Sequence, residues 1–178
     1  MSTEEASWPA QPAPIKKTVA WSEGRICDLA DARVPLEDRG VLFGEAVYEA
    51  MLTRRGGAFA EESHLRRLAA SAAGAGIDFA AAEPAVRDAI AALIAAGGEG
   101  DGLLYLQVTG GVAPRDHVPP SSGLTPGVYA TLRPFDHMAL GEAQRAGIAV
   151  VTMPDPRWSG ARFKTTQLLG NVKASARP

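Results

Sequence analysis

The sequence predicts an α+β fold: an N-terminal, mainly antiparallel sheet with two helices, followed by the beginning of a second, incomplete domain. Two observations carry that expectation. Segments with strand character outnumber those with helical periodicity, and the two helical segments are adjacent in the chain. A parallel βαβ series would instead alternate strands with helices.

Residues 1–17 form a polar, Pro-rich lead (Pro9, Pro12, Pro14), expected to be poorly ordered. The first domain is expected over residues 18–132. From Thr18 to Arg33, short strands flank a turn at Ser22-Glu23-Gly24. Glu37-Asp38-Arg39-Gly40 reads as a polar turn. Beyond it, Val47, Tyr48, Met51, Leu52 and Thr53 suit a strand, and Arg55-Gly56-Gly57 suits a hairpin turn. A helix is predicted over 62–73, because Leu65, Leu68, Ala69 and Ala72 recur at i, i+3, i+4 and i+7; Gly74 and Gly76 should stop it. A second helix is predicted over 84–96. Pro84 suits its first turn, Val86, Ile90, Leu93 and Ile94 share a face, and Gly97-Gly98 ends it.

Residues 103–109 alternate, with Leu104, Leu106 and Val108 opposite Tyr105, Gln107 and Thr109, the pattern of a half-buried strand. A Gly-, Pro- and Ser-rich loop reaches Pro126, and a further strand covers 127–132. Residues 133–147 read as a connector. Residues 148–178 begin the second domain, with an apolar strand at 148–153 and a helical pattern from Thr165 through Leu168, Leu169 and Val172.

Composition narrows the function. The 178 residues are 46% hydrophobic and 21% charged, ordinary for a globular chain. A net charge of -2 disfavours nucleic acid and anionic membrane surfaces, which need clustered Lys and Arg. The single cysteine, Cys27, excludes an internal disulfide framework and a cysteine metal cluster. No stretch approaches the roughly 20 apolar residues of a spanning helix, and the N-terminus lacks the basic-then-apolar order of a secretion signal. A cytoplasmic protein is the expectation.

Four places combine polar side chains with special backbone. Tyr48 lies in Phe43-Gly44-Glu45-Ala46-Val47-Tyr48-Glu49, where a strand tyrosine is either a core-edge residue or a ligand contact. In His64-Leu65-Arg66-Arg67-Leu68, Arg67 falls nearly opposite the apolar stripe, about 100° beyond Arg66. That leaves it a solvated charge or a planar fork aimed at a phosphate. Gly110-Gly111-Val112-Ala113-Pro114-Arg115-Asp116-His117 ends a strand and presents Arg115 and His117 two apart, either as incidental loop residues or as a grip on a carboxylate. Lys164, in Arg162-Phe163-Lys164-Thr165-Thr166, is an exposed lysine or an amine whose basicity a sheltered site could lower.

Taken in order, the stretches DRGVLFGEAVYEA, HLRRLAASAAGAGI, YLQVTGGVAPRDHVPP and MPDPRWSGARFKTTQLLGNV resemble the fold-type IV (class IV) pyridoxal-phosphate-dependent aminotransferases, in particular their D-amino-acid branch. The likeness runs from Ser22 to Asn171. It implies that Lys164 resembles the lysine that bonds covalently to pyridoxal 5′-phosphate and then moves the substrate Cα proton. It implies that Arg67 resembles the arginine holding the cofactor phosphate. Tyr48, Arg115 and His117 resemble the trio that traps the substrate α-carboxylate, the Arg and His arriving from the neighbouring subunit of a homodimer. The implied reaction is transamination between a D-amino acid, D-alanine-like, and a 2-oxo acid. A lyase of the aminodeoxychorismate type shares the fold and the lysine, and a non-catalytic remnant of the family is a further alternative.

The chain departs from the pattern in two ways. Relatives often read Thr-Arg-Gly where Thr109-Gly110-Gly111 stands here. The family also continues beyond the length of this chain into a part that supplies the acidic partner of the pyridine nitrogen and Ser/Thr-rich phosphate loops. A C-terminally truncated chain is therefore expected, ending in a divergent tail. The apolar residues of 148–153 should then lie uncovered, leaving the chain aggregation-prone or dependent on a partner chain.

Overall fold

The computed structural model describes residues 15–121 and 123–176. Residues 1–14 of the expected lead lie outside them. Ile15, near the end of that lead, is buried against the core, so packing begins before Thr18.

One antiparallel sheet of six strands organises the chain: β1 (Val19–Ser22), β2 (Arg25–Asp28), β3 (Ala46–Arg54), β4 (Gly57–Ala58), β5 (Gly102–Thr109) and β6 (Val128–Pro134). They lie side by side in the order β2-β1-β6-β5-β3-β4. The two predicted tight turns form as expected. Glu23 and Gly24 (φ 53° and 73°) join β1 to β2, and Arg55 and Gly56 (φ 51° and 72°) join β3 to β4. Positive φ at both central residues matches the right-handed twist of a two-residue hairpin, which explains a glycine at each second position.

Register sorts the side chains onto two faces. Val47, Glu49 and Met51 of β3 oppose Val108, Leu106 and Leu104 of β5, which oppose Val128, Ala130 and Leu132 of β6. This face packs under helices α2 (Glu61–Ala75) and α3 (Phe79–Gly97), meeting Leu65, Leu68, Val86, Ile90 and Leu93. Burying such a set removes apolar area from water at roughly 25 cal/mol per Å², the main favourable term for the domain. The opposite face carries Tyr48, Tyr105, Gln107 and Tyr129, all only partly buried.

Several expectations need correction. α2 does not stop at Gly74; that glycine lies inside the helix, and Gly76, left-handed at φ 74°, ends it. α3 begins at Phe79, because Asp78 caps it by accepting from the Ala81 amide at 3.2 Å. Pro84 therefore sits inside the helix rather than in its first turn. The expected polar turn at Glu37-Asp38-Arg39-Gly40 passes into helix and core. Asp38 and Arg39 are buried, and α1 (Arg39–Phe43) starts there with Asp38 as its cap. The connector contains α3's successor α4 (His137–Ala146), capped by Asp136 through the Met138 and Ala139 amides. Residues 148–153 form no strand, and among the described residues they join no sheet. Their apolar side chains are left in solvent, Ile148 81%, Val150 78% and Val151 80% exposed. The last helix, α5, spans Leu169–Ser175 rather than starting at Thr165.

With no ladder to break, Val150→Lys should leave the unfolding free energy from urea titration unchanged to within about 0.5 kcal/mol and reduce self-association seen by light scattering. A loss of stability above about 1 kcal/mol would show that the segment pairs in solution.

Candidate active site

The candidate site is built where the start of β3 has no strand on one side. β4 pairs only with Thr53 and Arg54, so the edge at Ala46–Tyr48 lies open. Residues 163–166 fill it. The Tyr48 amide donates to the Lys164 carbonyl and the Thr166 amide donates to the Ala46 carbonyl, both at 3.0 Å, around a bridge between Val47 and Thr165. From the helix side, the Ser71 hydroxyl accepts from the Lys164 amide at 3.2 Å. The Phe163 ring lies against Gly74, where any Cβ would collide with it. That close approach is why a glycine stands inside α2 despite its cost to a helix.

This docking puts the Lys164 Nζ 3.9 Å from the centre of the Tyr48 ring. An amine over a ring face is held by the ring quadrupole when charged. Tyr48 is braced in turn by Tyr105, stacked at 5.6 Å between centroids, whose hydroxyl donates to Gln107 Oε1 at 2.9 Å. Burial pushes the Tyr105 phenol up, and Tyr48 adds to it. Tyr48 and Lys164 share the wall of a cavity of about 250 Å³ with Trp158, Arg162, Phe163 and Asn171.

A second cavity, about 340 Å³, lies across the wall made by Trp158, Phe163, Thr165 and Gln167, and His117, Phe43 and Arg39 line it. The His117 ring is 5.3 Å from that of Phe43, and the Arg115 guanidinium lies 5.6 Å from the same ring. The five residues singled out in the sequence therefore divide. Tyr48 and Lys164 meet directly, Arg115 and His117 flank one aromatic ring nearby, and Arg67 lines neither cavity.

Arg67 has a partner that periodicity did not reveal. Glu49, 0% exposed, accepts from Arg67 Nε at 2.5 Å and from Arg67 Nη2 at 2.7 Å, and its second oxygen lies 2.8 Å from His64 Nδ1. Burial alone would push the Glu49 carboxyl up, but the Arg67 and His64 hydrogen bonds and charges more than offset it and hold it below the usual glutamate range. Glu49 likewise raises Arg67. The guanidinium is 57% exposed, and its Nη1 edge takes part in none of these bonds. Arg67 is thus neither freely solvated nor wholly consumed. The missed signal was available: Glu49 is in phase with Val47 and Met51, so strand alternation turns it toward the core.

The family model for class IV amino-transferases matches residues 46–177, which span β3, both covering helices and the Lys164 segment. The chain belongs to that family. Class IV aminotransferases depend on pyridoxal 5′-phosphate. Among curated relatives, the chain is 38% identical over 149 residues to a D-alanine aminotransferase from Bacillus licheniformis, covering 84% of this chain and 52% of that one. Among solved structures, it is similar to 4-amino-4-deoxychorismate lyase from Pseudomonas aeruginosa at 25% identity and TM-score 0.67, over 89% of this chain and 56% of that one. A hypothetical aminotransferase from Mycobacterium tuberculosis in its PLP-bound form shares the fold at 24% identity and TM-score 0.64, over 88% of this chain and 56% of that one. The chain spans about half the length of the curated relatives it matches. No helix among the described residues is long and apolar enough to cross a membrane.

The Glu49, His64 and Arg67 cluster has a pH signature. A carboxyl lowered in the folded state stabilises fully above its ordinary value of about 4.3 and loses that contribution as pH falls through the lowered one. Glu49→Gln should therefore cost about 1–3 kcal/mol at pH 7, and the two urea stability curves should converge below about pH 4. Parallel curves across that range would mean that Glu49 carries no such linkage.

Proposed function

We propose that this chain is the part of a class IV aminotransferase that carries the cofactor-bonding lysine, and that it serves transamination between a D-alanine-like D-amino acid and a 2-oxo acid. The observation that carries the reading is the Lys164 amine, held over the Tyr48 ring at the wall of an aromatic-lined cavity. Pyridoxal phosphate fits the residues present: an amine to bond its aldehyde, ring faces to flank a planar heterocycle, and Arg162 at the wall as a cation for an anionic group. When bound, the cofactor supplies an electrophilic aldehyde and an electron sink. Residues 148–178 belong, in this reading, to the start of the cofactor-binding domain.

Each residue then has a task. Lys164 holds the cofactor and afterwards, as a free amine, takes the proton from the substrate Cα. Tyr48 keeps that amine at one position through its ring face. Arg67, oriented by Glu49 and His64, would hold the cofactor phosphate through the part of its guanidinium that these bonds leave unused. Arg115 and His117 grip the α-carboxylate, supplied across a cytoplasmic homodimer. The 38% likeness to a D-alanine aminotransferase supports the D-amino-acid choice. The likeness to 4-amino-4-deoxychorismate lyase supports a second reading, in which the same lysine serves elimination.

Purified chain with added pyridoxal phosphate should develop a visible absorption band that Lys164→Ala abolishes. With D-alanine alone it should release at most one equivalent of pyruvate per site, and repeated turnover should require the 2-oxo acid. Pyruvate release from 4-amino-4-deoxychorismate instead, without a second substrate, would favour the lyase; absence of the band overturns both readings for this chain.

A further inference from the structure

We propose that Arg39 is a positioning residue that sets the Arg115 and His117 side chains in their carboxylate-gripping arrangement. The proposal rests on the reading of Arg115 and His117 given above. Arg39 is 3% exposed, an expensive place for a guanidinium unless every edge is bonded. Its bonds are specific. Nη1 donates to the Asp116 carbonyl at 2.8 Å and Nη2 to the His117 carbonyl at 3.2 Å, while Nε donates to Glu45 Oε2 at 2.8 Å. Its own amide donates to the Gly111 carbonyl at 2.9 Å. One buried fork therefore fixes two successive peptide units of an otherwise exposed loop, and those peptides set where the side chains at 115 and 117 leave the backbone.

Phe43 completes the device. Its ring lies 4.9 Å from the Arg39 guanidinium and also faces Arg115 and His117, so one ring indexes all three. Glu45 anchors the far edge of the fork, and it can do so because position 110 is glycine: a Cβ there would collide with the Glu45 carboxylate. The Thr109-Gly110-Gly111 departure is thereby tied to the Arg39–Glu45 pair. Lysine cannot reproduce this arrangement, because a single ammonium lacks the planar fork that reaches two carbonyls and a carboxylate at once.

The test uses the purified full chain and pyruvate as the carboxylate probe, its binding followed by titration calorimetry, together with amide hydrogen exchange. Arg39→Lys should weaken pyruvate binding about tenfold and speed exchange at 115–118 by a similar factor, with exchange at Leu104, Leu106 and Val108 unchanged. In an Arg115→Ala, His117→Ala background, Arg39→Lys should have no further effect on binding. Should Arg39→Lys fail to fold, Glu45→Gln decides, with about threefold weaker binding and faster loop exchange expected over an unchanged core. Wild-type pyruvate affinity and loop exchange in the folded variant overturn the positioning role. So does acceleration of core and loop together, which marks a merely structural residue. If the wild-type chain shows no pyruvate response, the carboxylate reading falls and the proposal with it; the cofactor band at Lys164 reports the rest of the functional reading separately.

Discussion

Two backbone hydrogen bonds, from the Tyr48 amide to the Lys164 carbonyl and from the Thr166 amide to the Ala46 carbonyl, hold the candidate site together. They add a short extended piece of the chain to the open edge of β3 and leave the Lys164 side chain no choice but the Tyr48 side. Because side chains alternate along a strand, the next residue, Glu49, points the other way, into the core beneath α2. One strand thus carries polar contacts on both faces: Tyr48 against the Lys164 amine on one, and on the other a buried carboxylate that orients an arginine and a histidine.

Buried polar groups recur wherever the site needs fixed geometry. Glu49 carries two partners. Asp38 accepts from the Gly40 amide, the Thr109 hydroxyl and the Tyr129 hydroxyl at 2.7–3.0 Å. Burial, with the nearby Asp38 charge, drives the Tyr129 phenol far up. Removing charges from water costs several kcal/mol each, so such groups persist only when several good bonds offset the loss. Here the bonds join segments far apart in sequence: residue 38 to 109 and 129, residue 39 to 116 and 117, residue 49 to 64 and 67. Apolar packing gives the sheet and helices their stability; these contacts determine where the loops stand.

What the sequence disclosed follows the same division. Both hairpins were legible because only positive-φ residues close them, and β5 because strict alternation has no helical reading. The helices were legible from their apolar faces, but the start of α3 and the end of α2 were not: Asp78 outweighed Pro84 as the boundary signal, and Gly74 answers to Phe163 rather than to helix termination. Asp38 and Arg39 read only as part of a polar turn, since nothing local announces a partner some 70 residues away. The apolar run at 148–153 has the composition of a strand but no pairing neighbour among the described residues, and composition cannot supply one. Lys164 and Tyr48 were singled out separately, and their contact depends on an edge pairing across more than a hundred residues.

The central claim is that this edge pairing places the Lys164 amine on the Tyr48 ring. Ring-current shifts of the Lys164 ε-methylene protons test it most directly. The account predicts a clear upfield displacement in the folded chain that disappears in Tyr48→Leu. Methylene shifts at their free-lysine values, unchanged by that substitution, would contradict it.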